Sequence, residues 1–134
     1  MLENGDAFHL QLANKANKER PNEYGIPFAS GFAPRAGRPN KYCITQEKVV
    51  HGTLSCEKTD GTSISAGTTI ATLPVGFRPA IGLYIPAVLH DANVTVSYSG
   101  YIYIGIDGII LLNLFSGVTG INKINTPFSF LAAQ

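Results

Sequence analysis

The stretch VTVSYSGYIYIGIDGIILLNL, Val94 to Leu114, most limits what this chain can fold into. It is dense in Val, Ile and Tyr, residues that fit a pleated, half-buried surface. Asp107-Gly108 predicts a two-residue hairpin turn, because glycine takes positive φ without steric cost. Ser99-Gly100 predicts a second turn, giving a three-stranded meander. Residues opposed across a two-residue turn share a face. One face then carries Ile102, Ile104, Ile106, Ile109 and Leu111. The other carries Val94, Val96, Tyr98, Tyr101, Tyr103, Ile110, Leu112 and Leu114. Neither face is polar, whereas an antiparallel sheet with one wet side alternates apolar and polar residues. Both sides therefore need cover. The domain's own core supplies one cover; the tyrosine-rich side is a candidate subunit interface or the covered face of a larger sandwich.

The same pattern runs through the second two-thirds of the chain. KYCIT, KVVHGTLSCE, TTIATL, AIGLYIPAV, NVTVSY, YIYIGI, IILLNLF and PFSFLA are strand candidates separated by Gly, Pro, Asn and Asp. About eight strands without a helix among them predict an all-β fold, an antiparallel β-sandwich or jelly-roll-like barrel. LPVGFRP, Leu73 to Pro79, reads as the corner between two of them. Pro74 takes the second position of a type I turn and Gly76 the fourth, with Phe77 as an apolar plug. The first forty residues differ. His9 to Arg20 can form a short helix that Pro21 stops, and the Gly/Pro-rich YGIPFASGFAPRAGRPNKY has no period. This divides the chain into an N-terminal connector, 1–40, with a poorly defined fold, and a β head domain, 41–134.

Composition excludes several functions. The chain has 134 residues, enough for one domain with a core, and a net charge of +1 without a basic stripe, which argues against nucleic-acid binding. Its apolar runs, Gly108 to Leu112 among them, are too short to cross a bilayer, so no membrane insertion is expected. Glu3 and Asp6 stand where a signal peptide would begin, and no apolar segment follows. Cys43 and Cys56 lie outside any CxxC pattern and have no histidine at metal spacing, so neither a metal nor another cofactor is expected. They are either bridged between neighbouring strands or are two small apolar thiols.

Catalysis needs a nucleophile, base and stabiliser that converge. No GxSxG or GxxxxGK pattern occurs, carboxylates are few, and Asp107 is explained by its turn. His51 falls within a strand and is expected half-buried. The chain is therefore read as a non-enzyme. Loops on a β scaffold are the better place for function. LHDANV brings His90, Asp91 and Asn93 into one loop, with donors and acceptors suited to sugar hydroxyls. Tyr98 and Tyr101 add rings for stacking. Arg35 and Arg38 are either anion ligands or solvated loop residues.

KVVHGTLSCEKTDGTSISAGTTIATLPVGFRP resembles a segment found near the C-terminus of phage and prophage tail proteins. The pieces that carry the resemblance are Val49 to Gly52, Gly67 to Pro79, Ile102 to Ile110 and Pro127 to Leu131. Together they span roughly Lys41 to Leu131. The resemblance implies a virion component of a tail fibre, tail tip or baseplate, made in the host cytoplasm. It also implies a homotrimeric β head that contacts other tail or baseplate proteins and binds host cell-wall saccharide. His90 and Asp91 match by type the His and Asp that such heads use near a subunit boundary. The chain departs from the pattern in having no Trp and a long polar stretch, FSGVTGINKINTPFSF, before its last strand. The alternative is a structural virion module for tail or baseplate assembly with no glycan ligand.

Overall fold

The computed structural model describes residues 21–133. The helix expected at His9 to Arg20 lies outside the described residues. Nine strands occur among the described residues: β1 (Tyr24–Gly25), β2 (Phe32–Pro34), β3 (Lys41–Ile44), β4 (Val49–Lys58), β5 (Thr69–Thr72), β6 (Leu83–His90), β7 (Ser97–Ile104), β8 (Ile109–Asn113) and β9 (Lys123–Leu131). They form one antiparallel sheet in the order β1-β3-β4-β9-β6-β7-β8-β5, with β2 also paired to β4. The residues after β1 return to the far edge. Phe28 bridges Ala71, and the Ala29 N–H donates to the Ile70 carbonyl at 2.8 Å. The two ends of the sheet thus meet, and the sheet curls around a core that includes Val50, Leu54, Ile70, Leu89, Ile102, Ile124 and Phe128. This is the all-β, antiparallel, barrel-like architecture expected.

The closing stave comes from the segment expected to be a poorly defined connector. Tyr24–Gly25 pairs with β3, Phe32–Pro34 pairs with β4, and Ile26 and Phe32 are buried. Strands of two and three residues broken by Pro27 and Gly31 are too short to show a period, which is why the sequence hid them. Asn40 stands in for a missing strand neighbour. Its side-chain oxygen accepts the Ser55 N–H at 2.7 Å, and its amide nitrogen donates to the Ser55 carbonyl at 2.8 Å.

The meander is rearranged. Ser99-Gly100 is no turn: β7 runs unbroken from Ser97 to Ile104, and its hairpin partner is β6 through the loop at 91–96. Gly100 is there because a Cβ would stand 2.5 Å from Leu89 Cδ1. At the second hairpin the Gly105 N–H donates to the Ile109 carbonyl and the Gly108 N–H to the Gly105 carbonyl, with Gly108 at φ 81°. That is a three-residue loop with a glycine bulge, not a two-residue turn. The extra residue shifts β8 by one. Ile110 and Leu112 therefore join Ile102 and Ile104 inside, while Leu111 moves to the outer face opposite Tyr103.

The LPVGFRP corner is also one residue out of step with its expected turn. Phe77 N–H donates to the Pro74 carbonyl at 3.1 Å, which puts Gly76 at the third position with φ 95°. Positive φ at that position is the mark of a type II geometry. Phe77 packs edge-on against Tyr24 and Tyr42, with centroids 5.4 and 5.1 Å away, so it does plug the sheet. The cysteines are free. Cys43 lies opposite His51, and Cys56 is five residues further along β4, about 17 Å at a strand's rise per residue and well beyond disulfide reach.

Candidate functional site

β6 ends at His90 and β7 starts at Ser97, so the predicted binding loop is the connection of a long hairpin. Asp91 organises it. One carboxylate oxygen accepts the N–H groups of Thr95 (2.7 Å) and Val96 (3.1 Å), and the other accepts the Thr95 hydroxyl. The Thr95 hydroxyl and then the Val96 N–H hold the Asp91 carboxyl below its ordinary range. The loop also forces Val94 to φ 56°, an outlier for a β-branched residue. Asp91 is thus occupied in shaping the loop, while Asn93 is exposed beside Val94.

The other predicted residues fall on different surfaces. His90 is half-buried on the outer face, with Nδ1 3.0 Å from Ser97 Oγ. Tyr98 lies opposite Leu89 and packs on the core. Tyr101, opposite Pro86, is on the outer face, about 13 Å from His90 at a strand's rise per residue. The structure therefore brings His90, Asp91 and Asn93 together, puts Tyr101 further along the same face, and turns Tyr98 inward.

Tyr101 belongs instead to a row of rings. Tyr84, 69% exposed, lies with its centroid 5.5 Å from Tyr101 and 5.0 Å from Tyr103, and Phe115 lies 5.6 Å from Tyr101. Pro86 and the exposed Val88 continue this apolar surface along β6. The bulge at Gly108 leaves the tyrosines on the outside, away from Ile110 and Leu112.

A second outer region escaped the sequence. His51, expected half-buried, is exposed at the middle of three strands, opposite Cys43 on one side and Ser129 on the other. Its Nδ1 is 3.2 Å from Ser129 Oγ. Beside it Gly52 has no side chain because the Phe128 ring occupies that space, with Phe128 Cε1 2.7 Å from where a Cβ would stand. Two shallow depressions meet at His51 and Gly52. One, of ≈ 290 Å³, is bordered by Glu23, Lys41 and Thr53; the other, of ≈ 350 Å³, by Ile85, Pro127 and Ser129. A glycine inside a strand was the available signal, since it marks a close approach.

Arg35 is half-buried and engaged rather than a free anion ligand or a freely solvated loop residue. Its guanidinium donates to Asn125 Oδ1 at 3.0 Å, and that oxygen also accepts the Ser55 hydroxyl. Among the described residues no group of three His, Cys, Asp or Glu is placed to hold a metal ion. No helix among them is long and apolar enough to cross a membrane.

No protein-family model and no curated protein sequence matches the chain. Solved structures do. The receptor binding protein gp15 of Listeria phage PSA superposes with a TM-score of 0.65 at 15% identity, covering 96% of this chain and 76% of that one. The head domain of the lactococcal phage bIL170, described with the receptor binding domains of lactococcal phages, superposes with a TM-score of 0.60 at 13% identity. It covers 84% of this chain and 99% of that one. The chain shares the fold of these phage receptor-binding heads.

Proposed function

We propose that this chain is the receptor-binding head of a phage tail, a non-catalytic adhesion module that binds host cell-wall saccharide. It is carried on the virion tail and made in the host cytoplasm. The observation that supports this most is the shared fold with a phage receptor binding protein over 96% of the chain. The surface chemistry agrees: rings stand on the outer face of a rigid sheet, further along the same face as a loop that carries half-buried His90 and exposed Asn93. Rings and neutral polar groups suit a sugar, which offers an apolar ring face and hydroxyls.

In this account His90, Asn93 and Tyr101 contact ligand, Asp91 holds the loop that carries them, and Tyr98 supports β7 from the inner face. The head is a homotrimer whose subunits meet through the Tyr84 and Phe115 surface, an aromatic patch of the type enriched at interfaces, with Tyr101 at the subunit boundary where it also meets ligand. Attachment to other tail or baseplate proteins falls to the N-terminal segment, 1–40, whose second half also closes the barrel. A glycan array run in parallel with co-assembly of tail components tests the function. Binding to cell-wall glycans is expected. Assembly into tails without any glycan binding would instead make the chain a structural virion module.

A further inference from the structure

We infer that the paired depressions at His51 form a second saccharide subsite, separate from the His90 loop and built for an uncharged sugar unit. The inference rests on the proposed saccharide-binding function and adds a place for it. The register carries the geometry. Cys43, His51 and Ser129 form one cross-strand row on the outer face, and Thr53 and Pro127 form the next row along the same face. Gly52 between them faces the core, where the Phe128 ring fills the space a Cβ would take and backs the strand from below. The result is an apolar floor with a polar rim at the middle of paired strands, where backbone positions are fixed.

Charge selects the ligand class. Lys41 Nζ lies 3.7 Å from Glu23 Oε2, so the rim holds one cation and one anion that offset each other. A phosphate site gathers cations and a metal site gathers acids; this rim does neither. Its remaining groups, the His51 imidazole and the Thr53 and Ser129 hydroxyls, both donate and accept, as sugar hydroxyls do. With Nδ1 engaged by Ser129, His51 Nε2 is left to meet a ligand hydroxyl. Volumes of ≈ 290 and ≈ 350 Å³ suit small ring units, near the bottom of the roughly 300–1,000 Å³ range of ligand pockets. Ser129 is six residues along β9 from Lys123, the partner of His90, so the two regions lie about 20 Å apart at a strand's rise per residue. One extended glycan can span both.

The test is an NMR titration of the ¹⁵N-labelled full chain with glucose, galactose, rhamnose and N-acetylglucosamine, with inorganic phosphate as a separate arm. Saturable shifts of the Gly52, Thr53 and Ser129 amides are expected with at least one sugar. His51→Ala combined with Thr53→Val should weaken that binding about tenfold, the size of two lost hydrogen bonds. Both positions face outward, so an unchanged amide spectrum elsewhere confirms folding. Shifts confined to His90, Asn93 and Tyr101 would overturn this subsite and leave the saccharide function standing. Shifts with phosphate alone would overturn the uncharged-ligand assignment. No shift with any sugar would remove the subsite and the saccharide function together.

Discussion

The carbonyl oxygen of Leu73 occupies the space into which a side chain at Gly108 would project. The two residues are also bonded, the Leu73 N–H donating to the Gly108 carbonyl at 2.9 Å, and Arg78 Nε donates to the Leu73 carbonyl at 2.9 Å. The LPVGFRP corner therefore clamps the β7–β8 hairpin. Gly108 has two reasons to be glycine: its positive φ and this close approach.

Gly108→Ala should destabilise the fold by at least about 2 kcal/mol, because left-handed geometry alone costs an alanine about 1–2 kcal/mol and the contact adds to it. Urea unfolding monitored by tyrosine fluorescence gives the midpoint shift. Gly117→Ala is the control for the conformational cost alone, since Gly117 also has positive φ but nothing near its Cβ position. Equal losses in the two variants would show that the clamp adds nothing.

The clamp also explains which parts of the fold were legible. Strand-rich sequence after Lys41 revealed the all-β class, because Val, Ile and Tyr recur between turn residues. The register of β8 was not legible. Ile109, Ile110, Leu111 and Leu112 are apolar at both parities, so hydrophobic pattern cannot choose which pair goes inside. The bulge at Gly108 chooses, and it is held by a contact from thirty-five residues away. Likewise β1 and β2 owe their conformation to pairing with β3 and β4 rather than to local propensity. At the site, His90, Asp91 and Asn93 were legible as one loop. The inward turn of Tyr98 and the exposure of His51 depend on strand pairing and were not.

Asp91 makes the loop at 91–96 sensitive to acid. Its carboxyl is held below the ordinary range, so its folded pKa lies below the unfolded one. The contribution is present above the unfolded value, about 3.9, and is lost as pH falls through the folded value. Amide exchange at Thr95 and Val96, corrected for its intrinsic pH dependence, should show reduced protection in that acid window. Asp91→Asn should loosen the same two amides at neutral pH and leave the β4–β9 pairing untouched. Protection independent of pH in the parent chain would contradict this role.

The two thiols should react unequally. Cys56 is buried and its thiol is pushed up to about 12, chiefly by burial, whereas Cys43 is half-exposed beside His51. Thiolate is the reactive form, so iodoacetamide should label Cys43 in the folded chain and reach Cys56 only after unfolding. Mass spectrometry after timed labelling reads this directly. Equal labelling rates in the folded state would contradict the packing of β4 against β9.

Replacing Tyr84 and Tyr101 together by serine removes the centre of the exposed aromatic row without touching the core. Light scattering should find the parent chain as a trimer and the variant as a monomer that melts independently. A parent chain that is monomeric at high concentration would remove the proposed interface.

Adsorption to bacterial cell walls is the direct test of saccharide binding. Labelled chain is mixed with walls from a panel of Gram-positive strains, including Listeria and lactococcal strains, before and after chemical removal of wall polysaccharide. Retention on at least one wall is expected, with loss of that retention once the polysaccharide is stripped. Retention on no wall, or retention that survives stripping, would contradict a head that grips host saccharide.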